Sequence, residues 1–515
     1  MQEPDDRFLL ERCPWCGTEI VPQRRGRSRD FGIRADGVST SFFCPRDSCI
    51  FHELLPVAVV DEHIYRQPPT FVLGTVDKFA RLAWEPEAGS LFGKNGKRAP
   101  SLVIQDELHL LAGPLGTTVG LYESAILELC AWSGTAPKII ASTATIRRSQ
   151  EQIRSLYGRS AQLFPPAGLD AGYSYFASPD TERPGRLYVG VMAQGHTAST
   201  ATVHVGAAAL QAPMEICDDA LRDTYWTVVA YHNSLRELGR TVTIARDDIP
   251  ARLEHLTSDT SRRRHLNDES VAELTSNIPR AAQPRLLDRL SRNFKERDSV
   301  SFLAATNMLA VGVDVPRLGL MLMNGQPKTT SEYIQATSRV GRKEVPGLIV
   351  TMFRSTKPRD RSHYESFGVY HRSLYRHVEP TSVTPWSMPS RQRALHAALV
   401  ILVRHGLGLN AENMAGDILD YADHLARIRN ILVGHVRRAD PDEADAAAEQ
   451  LDSLIAEWVQ EAENTRGSGH LYYRPQGRTY TALLTDFGKR GGLWETPQSM
   501  RNVDRDCLVA VRGAR

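Results

Sequence analysis

Short apolar runs that end in polar residues recur along the first third of the chain. Between residues 68 and 146 the sequence contains three of them: PTFVLGTVDK, SLVIQDELH and KIIASTAT. Apolar runs of this length, bounded by polar clusters, are typical of buried parallel strands. Open α/β sheets bind their ligands at the carboxyl ends of such strands. Residues 67–165 are therefore predicted to form an α/β lobe with its functional residues directly after the strands.

A second series of apolar runs predicts a second α/β lobe over residues 220–385. It contains YWTVVAYHNS, SFLAATNML and LGLMLMNG. The segment between the lobes, residues 166–219, is rich in Gly, Ala, Ser and Pro and is expected to be an irregular, β-prone linker. From residue 386 to 470 apolar residues recur at spacings of three and four, which predicts a helical accessory domain. The mixed pattern of residues 471–515 is interpreted only as a C-terminal tail.

Four of the seven cysteines lie in the first 50 residues, in two close pairs. Four thiolates grouped in this way suit tetrahedral Zn²⁺ and leave no open coordination position, so the metal would be structural. Residues 1–66 are therefore expected to form a zinc-binding module. The alternatives are reduced cysteines in a core, or His52 in place of one cysteine. The four expected zinc ligands are Cys13, Cys16, Cys44 and Cys49.

Charge and hydropathy change this picture little. The 62 basic residues nearly cancel the 60 acidic ones, and the net charge is +2. A nucleic-acid surface would therefore have to come from local arginines rather than from a global field. The sequence has no apolar run of about 18 residues, and its amino terminus is polar, unlike a signal peptide. We therefore expect no membrane partner and a cytoplasmic location.

The strongest chemical signal in the first lobe is the string DELH after the apolar run Leu102–Gln105. Asp106 is expected to hold Mg²⁺, and Glu107 to orient and deprotonate a water molecule that attacks the γ-phosphate of ATP. His109 is expected to couple the nucleotide state to the partner lobe. The simpler alternative is an acidic helix cap after a strand.

Two further strings follow predicted strands of the first lobe. In STAT, small hydroxyl residues lie where they can bond the histidine or aspartate of DELH, although alone they would more simply cap a helix. We assign Ser142, Thr143 and Thr145 to the nucleotide site. In TVDK, Thr75 and Lys78 are expected to meet nucleic-acid phosphates.

The second lobe contains ATNMLAVGVD and QATSRVGR. Arg339 and Arg342 are three residues apart, so a helix would place both on one face, where they neutralise charge on the transferred phosphoryl group. The alternative is a solvated basic helix face. The remaining nucleotide candidates of this lobe are Gln335, Gly312 and Asp314. The nucleic-acid candidates are Thr306 and, on weaker signals that usually mark turns, Asn233, Ser234, Thr275 and Ser276.

The order of these strings resembles that of superfamily 2 helicases over about residues 70–385. The resemblance implies two RecA-like parallel-sheet lobes, ATP and Mg²⁺ as cofactors, and nucleic acid as substrate. The cysteine-rich segment before TVDK, the string GRLYVGVMAQG and the terminal SMRNVD are similar to the helicase component of the DISARM anti-phage defence system. That similarity implies DNA rather than RNA, and other defence-system proteins as partners.

The phosphate-binding loop of such enzymes, G-x-x-x-x-G-K-[ST], does not occur in the sequence. Residues 93–98 come nearest but lack the hydroxyl residue. We therefore expect an α/β protein with an incomplete first lobe, an inserted zinc module and a helical C-terminal domain, truncated at the amino terminus. A separate chain would supply the loop. The expected function is an ATP-dependent DNA helicase or translocase. The alternatives are a non-catalytic nucleic-acid-binding scaffold or inactive fragment, and an RNA helicase.

Overall fold

The structure, a computed structural model, divides the chain into two compact units. The first comprises Met1–Leu163 and Pro380–Arg515, and the second Phe164–Glu379. The structure describes residues 10–22, 31–35, 40–93, 97–132, 134–143, 149–166, 168–169, 173–176, 178, 180–216, 218–279, 282–309, 314–342, 345–467, 469–476 and 481–501.

The amino-terminal part of the first unit contains an antiparallel strand pair and a separate parallel strand pair. The strands are β1 (Ile33–Ala35), β2 (Thr40–Phe42), β3 (Leu102–Gln105) and β4 (Lys138–Ala141). The helices are α1 (Asp61–Arg66), α2 (Asp77–Ala80), α3 (Gly113–Ala131) and α4 (Ser149–Tyr157). β1 pairs with β2, and β3 pairs in parallel with β4, with Val103 opposite Ile139.

The second unit is built around a six-stranded parallel sheet. Its strands are β5 (Arg186–Met192), β6 (Val228–Tyr231), β7 (Val271–Leu274), β8 (Phe302–Ala305), β9 (Leu320–Asn324) and β10 (Gly347–Phe353). Its helices are α5 (Ala198–Gln211), α6 (Asp219–Trp226), α7 (Leu235–Arg246), α8 (Asp248–Glu254), α9 (Ala282–Ser291), α10 (Thr330–Thr337), α11 (Pro358–Glu365) and α12 (Phe367–Arg372). The strand order is β5-β10-β9-β6-β8-β7.

The carboxy-terminal part of the chain completes the first unit. It contains α13 (Met388–Ile401), α14 (Ala422–Ala439), α15 (Ala444–Thr465), β11 (Leu484–Asp486) and β12 (Trp494–Thr496). α13 packs along α3, and both helices contribute to one core that also contains Trp386 and Trp458. α3 is buried almost along its whole length because this helical layer covers it.

The expected α/β class is confirmed by the parallel sheet, the four-cysteine cluster and the helical C-terminal region. The observed grouping of segments differs from two expected boundaries. Residues 166–219 are not only a linker, because all seven residues of β5 pair with β10 and α5 packs on the same unit. Residues 386–470 do not form a separate domain, because they share one apolar core with residues 64–157. Both the pairing of β5 with β10 and the shared core involve residues far apart in the sequence, so local composition could not predict them.

In the described part of the chain, no helix combines the length and the apolar character that crossing a bilayer requires.

A buried carboxyl group on α3 makes the stability of the first unit depend on pH. Glu123 is 6% exposed, and burial raises its pKa from 4.5 to about 7. The folded state therefore binds a proton more tightly than the unfolded state, so stability falls as pH rises from about 4.5 to 7 and is constant above that. Glu123→Gln removes this penalty, which amounts to at most about 3 kcal/mol at pH 8.

We expect Glu123→Gln to raise the free energy of unfolding at pH 8 and to change it much less at pH 5. Urea unfolding at the two pH values measures the difference, with Glu62→Gln on the exposed face of α1 as the control. A loss of stability at pH 8, or an equal gain at both values, would show that burial does not raise the pKa of the Glu123 carboxyl in the folded protein.

Candidate nucleotide, nucleic-acid and metal sites

The structure brings the four expected zinc ligands together in the first unit. The Sγ atoms of Cys13, Cys16, Cys44 and Cys49 all lie within 4.8 Å of one another. Cys13 and Cys49 are 3.9 Å apart, and Cys16 and Cys44 are 3.5 Å apart. Thiolates around tetrahedral zinc lie about 3.8 Å apart, given zinc–sulfur bonds of about 2.3 Å. The cluster therefore has the dimensions of a four-sulfur zinc site.

Local backbone turns hold these cysteines in place. Gly17, at φ 73°, lets the chain turn so that its amide donates to the Cys13 carbonyl at 2.9 Å. Hydrogen bonds from Thr18 lower the pKa of the Cys16 thiol to about 6, whereas burial raises that of Cys44 to about 12. A divalent cation supplies the charge that ionises such resistant thiols together. The donor set therefore fits Zn²⁺ in a closed, structural site.

His52 lies beside the cluster but does not belong to it. Its Nδ1 is 3.0 Å from the carbonyl oxygen of Cys44, and its Nε2 is 3.8 Å from a carboxylate oxygen of Asp47. The alternative in which His52 replaces a cysteine ligand is therefore not the arrangement in this structure. His52 instead orients the loop that carries Cys44.

In the first unit, the DELH and STAT residues meet at the carboxyl ends of β3 and β4. The Ser142 hydroxyl donates to Oδ1 of Asp106, and the Leu108 amide donates to the Ser142 carbonyl at 2.9 Å. His109, 8% exposed, has its Nδ1 3.2 Å from the Thr143 hydroxyl. Parallel pairing of β3 with β4 produces this contact, because it places the residues after each strand side by side. Thr145 lies outside the described residues.

Glu107 has an unusual backbone conformation. Its φ of 51° is in the left-handed region, which a residue with a side chain seldom adopts. Its amide donates to Oδ1 of Asp106 at 2.9 Å, and its Oε2 is 3.4 Å from Nδ1 of His109. A strained backbone conformation of this kind persists only where contacts with the surrounding structure hold it in place. Such conformations are enriched at functional sites.

The TVDK segment differs from the expectation in two respects. Residues 71–74 form no strand, and the side chains of Phe71 and Leu73 are 71% and 84% exposed. Thr75 is exposed, whereas the Lys78 ammonium pairs with the Asp61 carboxylate. A phosphate that binds Lys78 would have to compete with Asp61.

In the second unit, the nucleic-acid candidates cluster at one edge of the sheet. They follow β6, β7 and β8, which are neighbours whose last residues pair: Tyr231 with Ala305, and Ala305 with Leu274. The cluster consists of Asn233, Ser234, Thr275, Ser276 and Thr306. Parallel strands therefore gather residues that are up to 73 positions apart in the numbering.

The members of this cluster differ in exposure. Asn233 and Ser276 are exposed, whereas Thr275 and Thr306 are buried. The Ser234 hydroxyl caps α7 by accepting the Glu237 amide at 3.3 Å. Capping of α7 is a sufficient structural reason for a serine at position 234. The capped first turn of α7 lies at the same edge of the sheet as the rest of the cluster.

The two arginines of QATSRVGR do not share a helix face, contrary to the expectation. α10 ends at Thr337, and the chain turns through Gly341 at φ 64°. A side chain at Gly341 would lie 2.5 Å from the Cα of Gly347, so the turn requires glycine. Arg339 and Arg342 therefore lie in the turn after the helix rather than on it.

Contacts from residues distant in the sequence hold this turn. Nη1 of Arg342 is 2.7 Å from Oδ1 of Asp314, so the structure joins two of the predicted residues. Arg186 in β5 donates to the carbonyls of Val340 and Ser338 at 2.8 and 3.2 Å. Sequence reasoning missed Arg186, because it lies more than 150 positions away in a segment interpreted as linker. Gln335 lies half-buried on α10, and Gly312 is outside the described residues.

These sites define the class of the protein. Residues 228–344 match the helicase conserved C-terminal domain family. The second unit therefore contains a helicase C-terminal domain.

Its similarity to one particular curated protein extends over nearly the whole chain. It is 37% identical, over 98% of its length, to the DISARM protein DrmA of Bacillus paralicheniformis, of which it covers 49%. It is 22% identical over 49% of its length to the uncharacterised ATP-dependent helicase YprA of Bacillus subtilis, of which it covers 29%. The chain thus spans half or less of the length of these relatives.

Two solved structures are similar to parts of the chain. The DUF1998 helicase MrfA bound to DNA has a TM-score of 0.49 at 16% identity, covering 66% of this chain and 40% of MrfA. Helicase Lhr of Mycobacterium smegmatis bound to single-stranded DNA and AMP-PNP has a TM-score of 0.45 at 15% identity, covering 74% of this chain and 40% of Lhr.

Proposed function

We propose that the chain is the motor part of an ATP-dependent DNA helicase or translocase that acts in anti-phage defence. The observation that carries the proposal is the hydrogen-bonded set of Asp106, Glu107 and His109 with Ser142 and Thr143. Hydrolysis of ATP needs a carboxylate for Mg²⁺ and a second carboxylate that orients water. Two adjacent carboxylates, one hydrogen-bonded to Ser142 and one beside a buried histidine, suit these two roles.

The second unit contains the other residues that the proposal assigns to nucleotide and to nucleic acid. Arg339 and Arg342 would neutralise charge on the transferred phosphoryl group, with Gln335, Gly312 and Asp314 as further nucleotide-contacting residues. The residues after β6, β7 and β8, together with Thr75 and Lys78, would hold the nucleic-acid backbone. In this proposal zinc is structural, while ATP and Mg²⁺ are the cofactors of the reaction.

An exposed apolar sheet face favours the binding of a further polypeptide to the first unit. Leu102, Ile104 and Ile140 point to one face of the β3–β4 pair and are 46%, 58% and 46% exposed. Parallel sheets are almost always covered on both faces. We propose that a polypeptide carrying the phosphate-binding loop adds strands and helices here, either as a separate chain or as another part of the same one. Similarity to DrmA supports a defence setting with further protein partners.

A non-catalytic nucleic-acid-binding scaffold is the second candidate function. It is favoured by one observation, the absence of the string G-x-x-x-x-G-K-[ST] from the sequence. A scaffold would keep the backbone-contacting edge of the second unit and would hydrolyse no ATP in any assembly.

ATP hydrolysis distinguishes the two candidates. We expect the purified chain to hydrolyse ATP slowly alone, and we expect DNA to stimulate hydrolysis once a polypeptide that carries the phosphate-binding loop is added, either mixed in or fused to the chain. Phosphate release is measured with DNA, with RNA of the same sequence, and without nucleic acid. Stimulation by RNA alone would identify an RNA helicase. No hydrolysis in any mixture, combined with retained DNA binding, would identify a scaffold.

A further inference from the structure

The terminal string SMRNVD has no role in the proposed function, yet its first residues lie beside the TVDK segment of the first unit. The Ser499 hydroxyl donates to Oδ1 of Asp77 at 2.8 Å, and the Met500 amide donates to the same oxygen at 3.0 Å. Nε of Arg501 is 2.8 Å from Oδ2 of Asp77. One carboxylate therefore binds three consecutive residues, of which Ser499 is 422 positions away in the sequence.

Further contacts join the same two segments. Nη1 of Arg81, directly after α2, donates to Oε1 of Gln498 at 2.9 Å. Met500 is 1% exposed and belongs to the apolar core against which Val76 and Phe79 pack. Residues 498–501, called the C-terminal clasp below, are thus fixed to α2 by ionic and hydrogen-bonding groups and share its core.

The TVDK segment cannot hold its own position. α2 is a single turn of four residues, and a helix of that length is not stable by itself. Residues 71–74 before it form no strand, so no sheet fixes them. The Lys78 amide donates to the Thr75 carbonyl at 3.1 Å, which ties Thr75 to the first turn of α2. The position of Thr75 therefore depends on the contacts that α2 makes with other parts of the first unit.

Within TVDK the charged side chains make these contacts. The Lys78 ammonium pairs with Asp61, and the Asp77 carboxylate, 26% exposed, binds the clasp. Thr75 is exposed. A carboxylate would repel a nucleic-acid phosphate, so Asp77 is unsuited to direct contact with one. Arg501 offsets the charge of Asp77, which lies two residues from Thr75.

We propose that the C-terminal clasp positions Thr75 for its contact with nucleic acid, and that Asp77 is the positioning residue that joins them. The proposal rests on the proposed function, because it assumes that Thr75 meets the nucleic-acid backbone. It gives a role to residues 498–501, which lie outside the matched helicase domain.

Asp77→Asn tests the proposal by the sign of its effect. In either orientation of the new side chain, its amide group faces a donor of the clasp, so one contact is lost. Removal of a negative charge would by itself strengthen the binding of a polyanion, whereas loss of positioning weakens it. We expect the whole chain with Asp77→Asn to bind a single-stranded DNA oligonucleotide about fivefold more weakly, measured by fluorescence anisotropy.

The same unit offers matched controls. Asp452 pairs with Arg429 at 2.7 Å between α15 and α14, so Asp452→Asn makes the same change in another ion pair and should bind like the wild-type chain. Ser499→Ala removes an uncharged donor of the clasp and should weaken binding about threefold. Its control is Ser453→Ala on α15, where the hydroxyl is 3.2 Å from Oε1 of Glu457.

A second substitution should restore binding. Glutamine at position 501 can place an oxygen where Nε of Arg501 lies, and this oxygen can accept the amide group of asparagine at position 77. We expect Asp77→Asn with Arg501→Gln to bind within about twofold of the wild-type chain. The same double exchange at Asp452 and Arg429 should have no effect. A contact that serves only stability would lower the temperature of thermal unfolding and leave the affinity for DNA unchanged.

Three results would overturn the proposal. One is binding by Asp77→Asn as tight as by Asp452→Asn, or tighter. Another is weakened binding that Arg501→Gln does not restore, which would show that Asp77 acts without the clasp. The third is normal binding by Asp77→Asn while Arg501→Gln alone reduces the slope of log K against log salt by about 0.7, since Arg501 would then bind a phosphate directly. If Asp77→Asn loses structure on thermal unfolding, Ser499→Ala against Ser453→Ala decides.

Failure of the proposed function gives a different result from failure of the clasp. If the wild-type chain binds no oligonucleotide, the proposed function is wrong, and hydrogen exchange over residues 74–81 then tests the clasp alone. Faster exchange in Asp77→Asn and Ser499→Ala, but not in Asp452→Asn, supports positioning of this segment by the clasp. Equal exchange in all three variants contradicts it.

Discussion

Glutamine in place of Glu107 is expected to lower DNA-stimulated ATP hydrolysis at least about 100-fold while ATP binding stays within about threefold of the wild-type value. The glutamine amide keeps the size of the side chain but cannot take a proton from the attacking water. The hydrogen bond from Glu107 to the Asp106 carboxylate is donated by the backbone amide, which the substitution does not change. The Asp106 carboxylate, the proposed Mg²⁺ ligand, should therefore keep its position. The effect should therefore fall on turnover and not on affinity.

The measurement is phosphate release by the chain mixed with its loop-carrying partner, alongside binding of a fluorescent ATP analogue. Glu62→Gln, in the exposed first turn of α1, is the matched control and should retain full activity. Arg339→Ala should slow turnover similarly, because it removes a charge that stabilises the transferred phosphoryl group. Wild-type turnover in Glu107→Gln would mean that another group activates the water.

Serine in place of Cys13 is expected to abolish zinc binding and unfold the module around it. Metal analysis should find about one zinc per wild-type chain and almost none in Cys13→Ser. The apolar residues around the cluster are few, with Ile20, Phe42 and Leu55 as its buried members besides the cysteines. Structural zinc contributes about 10–16 kcal/mol of apparent binding free energy in small modules, so this core should not fold without it.

Limited proteolysis of the whole chain measures the consequence. Cleavage between residues 10 and 60 should become much faster in Cys13→Ser, and in wild-type chain treated with a chelator, while the second unit stays resistant. His52→Ala is the control, since its ring contacts the Cys44 carbonyl and not the metal position. Loss of zinc from His52→Ala with retention in Cys13→Ser would reverse the ligand assignment.

Local strings were sufficient to predict which polar residues meet at the strand ends of the first unit. DELH and STAT each follow an apolar run, and the contact between them depends only on β3 and β4 being parallel neighbours. The meeting of the two cysteine pairs was equally predictable, because a closed four-sulfur metal site would impose this spacing on the sequence. In these cases the residues that act together lie at the ends of short, strongly patterned segments.

The arginine turn shows where local pattern was insufficient. Periodicity continues α10 through Arg339 and Arg342, but the chain leaves the helix because Gly341 packs against Gly347 and Arg186 binds the turn carbonyls. The strand that carries Arg186 was interpreted as linker, since the segment that contains it, residues 166–219, is rich in Gly, Ala, Ser and Pro. Its pairing with β10 depends on a partner about 160 positions away.

The sequence by itself thus determined the α/β class of the protein and predicted which cysteines and which DELH and STAT residues lie together, because those features follow from side-chain chemistry at fixed local spacing. Only the tertiary structure decided which segments share a core, where the arginines lie and that residues 498–501 bind Asp77. These features arise from pairing and packing between distant segments. Their free energy depends on surfaces that meet only after folding, and no local window of the sequence contains both partners.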